Sequence, residues 1–189
     1  TIAGGLGNSI NGVLGSFIGG GANNFAMTSQ YAAIAGGNGN AVTNSNYSFI
    51  GGGDENTIKD ATHTFIGSGA NNTNGGNYGF VGGGLKNTNT AVYGSVMGGA
   101  SNTVSGTHAV VPGGYLNEAT ANFSFAAGHG AKADHAGSFV WGDSTTTAAE
   151  STAVDQFKVV ATGGIYFEAG MNDVSVTTSG GQFTYNGSE

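Results

Sequence analysis

The sequence predicts an all-β fold, a parallel β-solenoid of about ten short coils. Three observations predict it: a repeat of 14 to 16 residues, a short apolar core in every repeat, and 38 glycines among 189 residues with a single proline. Aligning Ile2, Ile18, Ile34, Ile50, Ile66, Val81, Val96, Val111, Ala126 and Val140 gives steps of 16, 16, 16, 16, 15, 15, 15, 15 and 14. Helical-pair repeats need about 30 residues or more, so a period this short leaves room only for short strands and turns.

Each part of the repeat has a physical reason. The apolar core, as in Phe49-Ile50, reads as a strand. Two and three residues beyond the aligned column stands a glycine pair, as at Gly36-Gly37 and Gly52-Gly53, supplying positive φ at a tight corner. Six residues beyond the column stand Asn8, Asn24, Asn40, Asn56, Asn72, Asn87, Asn102 and Asn117, with Lys132 in that place in the ninth copy. Asparagine suits a corner because it tolerates left-handed backbone, and stacked copies can form a side-chain ladder. A second short strand and a return complete the coil. Coils stacked about 4.8 Å apart make a rod roughly 45 to 50 Å long.

The roll is expected over residues 1–144, followed by a linker at 145–155 and a small β region at 156–189. In that last region Phe157 to Ala161 and Ile165 to Ala169 read as a hairpin around Thr162-Gly163-Gly164. Val174 to Thr178 and Gln182 to Tyr185 read as a second pair around Ser179-Gly180-Gly181. The repeat is already running at Thr1, which marks the sequence as a piece of a longer protein.

Alternation along the strand splits the repeat into two faces. The inward face carries the Ile/Val column and, two residues earlier, the small residues Ser16, Ala32, Ser48, Thr64, Gly79, Gly94, Ala109, Ser124 and Ser138. The other face is large and aromatic: Phe17, Phe49, Phe65, Phe80, Phe125 and Phe139, with a second ring column of Tyr31, Tyr47, His63, Tyr78, Tyr93, His108 and Phe123. A strand apolar on both faces must be covered on both, and a thin coil covers only one. An aromatic strip of this length far exceeds the patch a soluble monomer usually shows, so association with further copies of the chain is expected. The expected interface is Phe17, Tyr31, Tyr47, Phe49, Phe65, Tyr78, Phe80, Tyr93, Phe123, Phe125 and Phe139.

Charge and composition narrow the function. The net charge of −7 comes from only 4 Lys+Arg against 11 Asp+Glu, which gives a nucleic acid nothing to hold. No apolar stretch is long enough to cross a bilayer as a helix, and with no cysteine there is no disulfide or thiolate-metal site.

The candidate chemistry is sparse. Asp54 and Glu55 follow Gly51-Gly52-Gly53 like a calcium loop, but calcium-binding rolls repeat their aspartates and this pair occurs in one copy only. No Gly-Lys-Ser/Thr follows the glycines, which excludes a phosphate loop. His63 and His108 occupy the ring column, where packing is the simplest role, and three copies meeting on an axis could bind a metal or an anion. His129, Asp134 and His135 lack metal-ligand spacing. No Gly-x-Ser-x-Gly elbow is present. The chain is therefore expected not to be an enzyme, with no catalytic, cofactor or metal residues. A carboxylate pair converging from different chains, as in a glycan hydrolase, stays open. Trp141 either caps the roll or offers a platform for a glycan. The exposed candidates for receptor contact are Asp54, Glu55, Tyr115 and Trp141.

The stretches "FIGGGANNFA", "YSFIGGGDENTI" and "SFAAGHGAKADHAGSFVWGDS" resemble the head repeats of YadA-type trimeric autotransporter adhesins, whose modules also occur in bacteriophage tail fibres. The resemblance covers residues 1 to about 144 and implies a left-handed parallel β-roll and a homotrimer. "DQFKVVATGGIYFEAG", Asp155 to Gly170, resembles the segment that precedes an endosialidase-type intramolecular chaperone in such fibres. That resemblance implies a processed C-terminus near Ser188-Glu189, and intact mass showing continuation past Glu189 in mature particles would contradict it. The expected function is then a structural and receptor-binding section of a trimeric fibre. It would sit on a virion or an extracellular cell surface and meet a cell-surface glycan or protein. A bacterial adhesin head is the first alternative, and an ice-binding or matrix β-solenoid, read from Thr57, Thr73, Thr88 and Thr103, is the second.

Overall fold

Glycine and asparagine corners fold each repeat into one flattened turn, and successive turns stack in parallel register. The computed structural model describes residues 1–12, 14–145 and 149–167, which contain strands and turns and no helix. One sheet runs from Phe17–Ile18 through Phe49–Ile50 and Phe80–Val81 to Phe125–His129, Phe139–Gly142 and Phe157–Val160. The other runs from Ser9–Asn11 through Thr57–Lys59 and Thr103–Val104 to Ala149–Glu150. Both follow sequence order with every pairing parallel, as a solenoid requires. Single bridges Leu6↔Ala22↔Asn38↔Asp54↔Ala70↔Leu85↔Ala100↔Tyr115 form a third line along one narrow edge.

The core lies between the sheets and is one side chain deep. Ile18, Ile34, Ile50, Ile66, Val81, Val96, Val111 and Val140 are fully buried, as are Ala26, Val42, Ile58, Val104, Ala119 and Ala133 facing them. The small column two residues earlier is buried as well, from Ser16 and Ala32 to Ser124 and Ser138. A cross-section this thin cannot hold larger groups there.

The asparagines form a continuous interior ladder. The Asn56 backbone N–H donates to Asn40 Oδ1 at 3.0 Å, and its side-chain amide donates to Gly52 O at 3.0 Å and Gly69 O at 2.8 Å. The same pattern recurs from Asn24 to Asn117. Buried amides are tolerated here because backbone groups of the adjacent turns satisfy them. The ninth member of the column is Ala131, whose N–H donates to Asn117 Oδ1. Lys132, expected in that place, lies one residue further on, pairs in register with Glu118 and forms an ion pair with it at 3.7 Å. The residue missing from the 14-residue step is therefore lost between Gly128 and Ala131.

The earlier change of period, from 16 to 15, has a different seat. Sixteen-residue coils place Thr28, Asn44 and Asp60 in left-handed backbone just after the second strand, and the shorter coils lack this residue. Where the shortening begins, Asn74 and Asn89 replace the apolar residue of the second-sheet core, and both are fully buried. Asn89 Nδ2 donates to Gly94 O at 2.8 Å while its Oδ1 accepts from Ala91 N–H at 3.1 Å. Gly79 and Gly94 stand opposite because a Cβ at either would collide with these amides.

At the C-terminal end the roll extends beyond residue 144. Ala149–Glu150, inside the expected linker, pairs with Ala131–Ala133. Phe157–Val160, expected as the first arm of a hairpin, is a further parallel rung on Phe139–Gly142. Ile165 to Phe167 are not in a strand, and the remaining expected strands lie outside the described residues. Lys158 takes the place of the core valine in this last rung, and its Nζ donates to Glu150 O.

Asp143 ties this end together. The backbone N–H of Thr162 donates to it at 2.6 Å and that of Thr145 at 2.9 Å. These bonds, with Thr162 the larger cause, hold its carboxyl well below the usual carboxylate range. A lowered folded value means the contribution is complete above about pH 4, the ordinary aspartate range, and fades as pH falls further toward the folded value. Asp143→Asn is accordingly expected to remove part of the acid sensitivity of this end, read by hydrogen exchange of Thr162 between pH 5 and 2. An unchanged profile would contradict the assignment.

Candidate interaction surfaces

The expected interface residues form two stacked ladders on the same side of the roll. In the first sheet the Phe49, Phe65 and Phe80 rings stack at 5.7 and 5.2 Å, and Phe125, Phe139 and Phe157 at 4.5 and 4.7 Å. The second ladder is unbroken over seven rings, Tyr31, Tyr47, His63, Tyr78, Tyr93, His108 and Phe123, with centroids 4.9 to 5.2 Å apart. The strand pairing that sets the rung spacing thus sets the ring spacing too.

Strand alternation places the second ladder inside the strand, and the structure corrects this. Each of its rings stands on a corner residue in left-handed backbone, with φ from 54° at Tyr31 to 59° at Phe123. Bulky residues rarely adopt this region, and seven in one column show a corner held by the stack and by the ladder of bonds around it. Phe157 is the rung that the repeat spacing missed, since it follows Phe139 by 18 residues instead of 14 to 16. Its signal was the aromatic residue next to the apolar run Val159-Val160.

Both ladders are open to solvent within the single chain. Tyr47 is 54% exposed, Tyr78 51% and Phe80 41%. The ladder columns contain no Asp, Glu, Lys or Arg.

The variable side chains gather on the opposite edge. The bridge line carries Leu6, Ala22, Asn38, Asp54, Ala70, Leu85, Ala100 and Tyr115, and the next column carries Asn23, Glu55, Asn71, Lys86, Ser101 and Leu116, all in left-handed backbone. Asp54 and Glu55 therefore belong to an exposed ridge with Tyr115, seven residues along the coil from the ring ladder. Asn38 Nδ2 donates to Asp54 Oδ1 at 2.8 Å. Tyr115 and His129 are in register, with ring centroids 5.5 Å apart and tilted by 37°. Trp141 is half-buried, paired between Ala127 and Val159, so it sits within the sheet rather than at its end.

The remaining candidates are dispersed. His129 lies on the ridge, Asp134 accepts from Thr120 Oγ1 at 2.8 Å, and His135 Nδ1 lies 2.9 Å from Ser151 Oγ. Among the described residues no three His, Asp or Glu side chains gather as a metal site and no pocket is present. Thr57, Thr73, Thr88 and Thr103 do stack in register on the outer face of the second sheet, between Ala41 and Glu118.

No family model matches the chain, and no curated protein is significantly similar to it.

Proposed function

We propose that the chain is a non-enzymatic section of a homotrimeric fibre, with the aromatic strip buried between copies and the variable ridge turned outward to a receptor. The observation that carries this reading is the pair of ring ladders, seven rings in the corner column and seven phenylalanines in the strand column, on a face without charge. An aromatic side chain can bury ~150–250 Å², so fourteen rings about half exposed leave on the order of 1,000 Å² uncovered. A stable interface needs about 800 Å² per partner, so a second copy presenting the same uncharged strip is a sufficient cover. Three copies, and a place on a virion fibre or bacterial surface, rest on the resemblance to adhesin head repeats and on Asp155 to Gly170. The ridge is the side on which rungs differ from one another, and its Asp54, Glu55 and Tyr115 would distinguish a glycan or protein receptor.

The test is the mass of the assembly. Sedimentation at micromolar concentration is expected to give a trimer, and the pair Tyr78→Asp with Phe80→Asp is expected to give monomers that keep their β-sheet circular dichroism. Six carboxylates in one interface would weaken association by several powers of ten, since desolvating unpaired charges costs several kcal/mol each. A wild-type monomer would defeat the reading.

A monomeric solenoid that binds ice or an ordered matrix is favoured by one observation, the four-rung threonine ladder from Thr57 to Thr103. That ladder ends at Glu118 and Lys132, which break the flat array such a surface needs. Thermal hysteresis in a monomeric preparation would support it over the fibre.

A further inference from the structure

We infer that association of the chain is proton-linked through His63 and His108, and that acid loosens the assembly. The inference rests on the proposal that the aromatic strip is covered by further copies. Both histidines are full rungs of the corner ladder. His63 stacks between Tyr47 and Tyr78 at 5.0 and 5.1 Å, and His108 between Tyr93 and Phe123 at 4.9 and 5.2 Å. Histidine is the side chain that gains its charge between about pH 8 and 5. The other rungs are tyrosine and phenylalanine, which stay uncharged there.

The sign follows from what changes on association. Stacking on the flanking rings favours the imidazolium, but those contacts exist in the free chain and in the assembly alike, so they cancel. Covering the strip removes water from the histidines and brings equivalent positive charges of several copies onto one face. Both effects oppose the charged form only in the assembly. The free chain therefore holds more protons, and association weakens as pH falls.

The surroundings give little compensation. The return segments against His108, residues 90–94, 105–109 and 120–124, contain no charged residue. Against His63, residues 44–48 and 75–79 have none, and 60–64 contain only Asp60. The Asp60 carboxylate is engaged by Asn44 Nδ2 at 2.9 Å and lies 3.9 Å from Lys59 Nζ. Asp60 can partly offset the charge of His63, so His108 is the stronger of the two groups.

The experiment is sedimentation velocity of the full chain at pH 7.5 and 5.0 at constant ionic strength, with far-ultraviolet circular dichroism to confirm that the roll stays folded. The comparison protein carries His63→Tyr and His108→Tyr, which keep the ring stack and remove the titration. The wild type is expected to associate at pH 7.5 and to weaken roughly a hundredfold or more at pH 5.0, while the double variant changes less than about threefold. Equal association of the wild type at both pH values, or equal acid weakening of the double variant, would overturn the inference and leave the interface standing. A wild type monomeric at pH 7.5 would overturn both.

Discussion

Replacing Asn56 by leucine is expected to lower stability by about 3–5 kcal/mol, although the side chains are similar in size. The leucine fits the volume and cannot hydrogen-bond. The Asn72 backbone N–H loses its acceptor, Asn56 Oδ1 at 3.0 Å, and Gly52 O loses its donor. Both groups lie in the fully buried column, where each unsatisfied partner costs about 1–3 kcal/mol. Gly69 O is spared because Asp54 N–H also donates to it. The measurement is thermal unfolding at fixed protein concentration, with a fall of roughly 10 °C expected for a chain of this size. Ile58→Val, one side of the same coil away, removes a single methylene from the core and is expected to cost about 1 kcal/mol. A leucine variant no worse than that control would show that the ladder is ornament on a hydrophobic roll.

The difference between these two variants also explains which parts of the fold were legible in the sequence. The Ile/Val column and the small column were readable because a narrow interior allows few residue types, and Ile50 and Ser48 lie where alternation puts them. The asparagine ladder was readable from its recurrence. Its ninth member was not, because a period of 14 says that a residue is missing without saying where; only the bond from Ala131 N–H to Asn117 Oδ1 locates the loss. The corner position of Tyr47 was hidden for another reason. Tyrosine carries no local preference for φ near 55°, so the tertiary stack overrides what sequence preference would assign. Phe157 was hidden by a longer excursion before it, which broke the period although the rung itself is ordinary.

The candidate surfaces divide in the same way. The strip could be read because burial demands repetition, and repetition is visible. The ridge could be read only as single exceptions, Asp54, Glu55 and Tyr115, until the bridge line placed them on one edge with Asn38 and Leu85. A solenoid separates these roles by geometry: the columns that bond the rungs together must repeat, and a column at an exposed edge need not. Recognition can therefore change along the ridge without disturbing the core, provided the corner glycines stay.

Those glycines make the sharpest prediction, because adjacent members of one pair are expected to behave oppositely. Gly36→Ala is expected to change stability by less than about 1 kcal/mol, since a Cβ there meets nothing nearer than Gly20 O at 4.0 Å. Gly37→Ala is expected to prevent folding of the surrounding coils or to destabilise them by more than about 3 kcal/mol. Its φ of +95° lies where side chains are strained, and its Cβ would run into the carbonyl oxygen of Gly53 in the next turn. That carbonyl cannot retreat: it accepts from Asn38 N–H and from Asn40 Nδ2, both at 2.9 Å, so moving it breaks the corner and the asparagine ladder together. The same relation links Gly21 to Gly37 and Gly53 to Gly69, so relief at one turn is passed to the next. Comparing the melting temperatures of the two single variants checks the claim. Equal losses would mean that the coil closes by some means other than this close stacking of backbone on backbone.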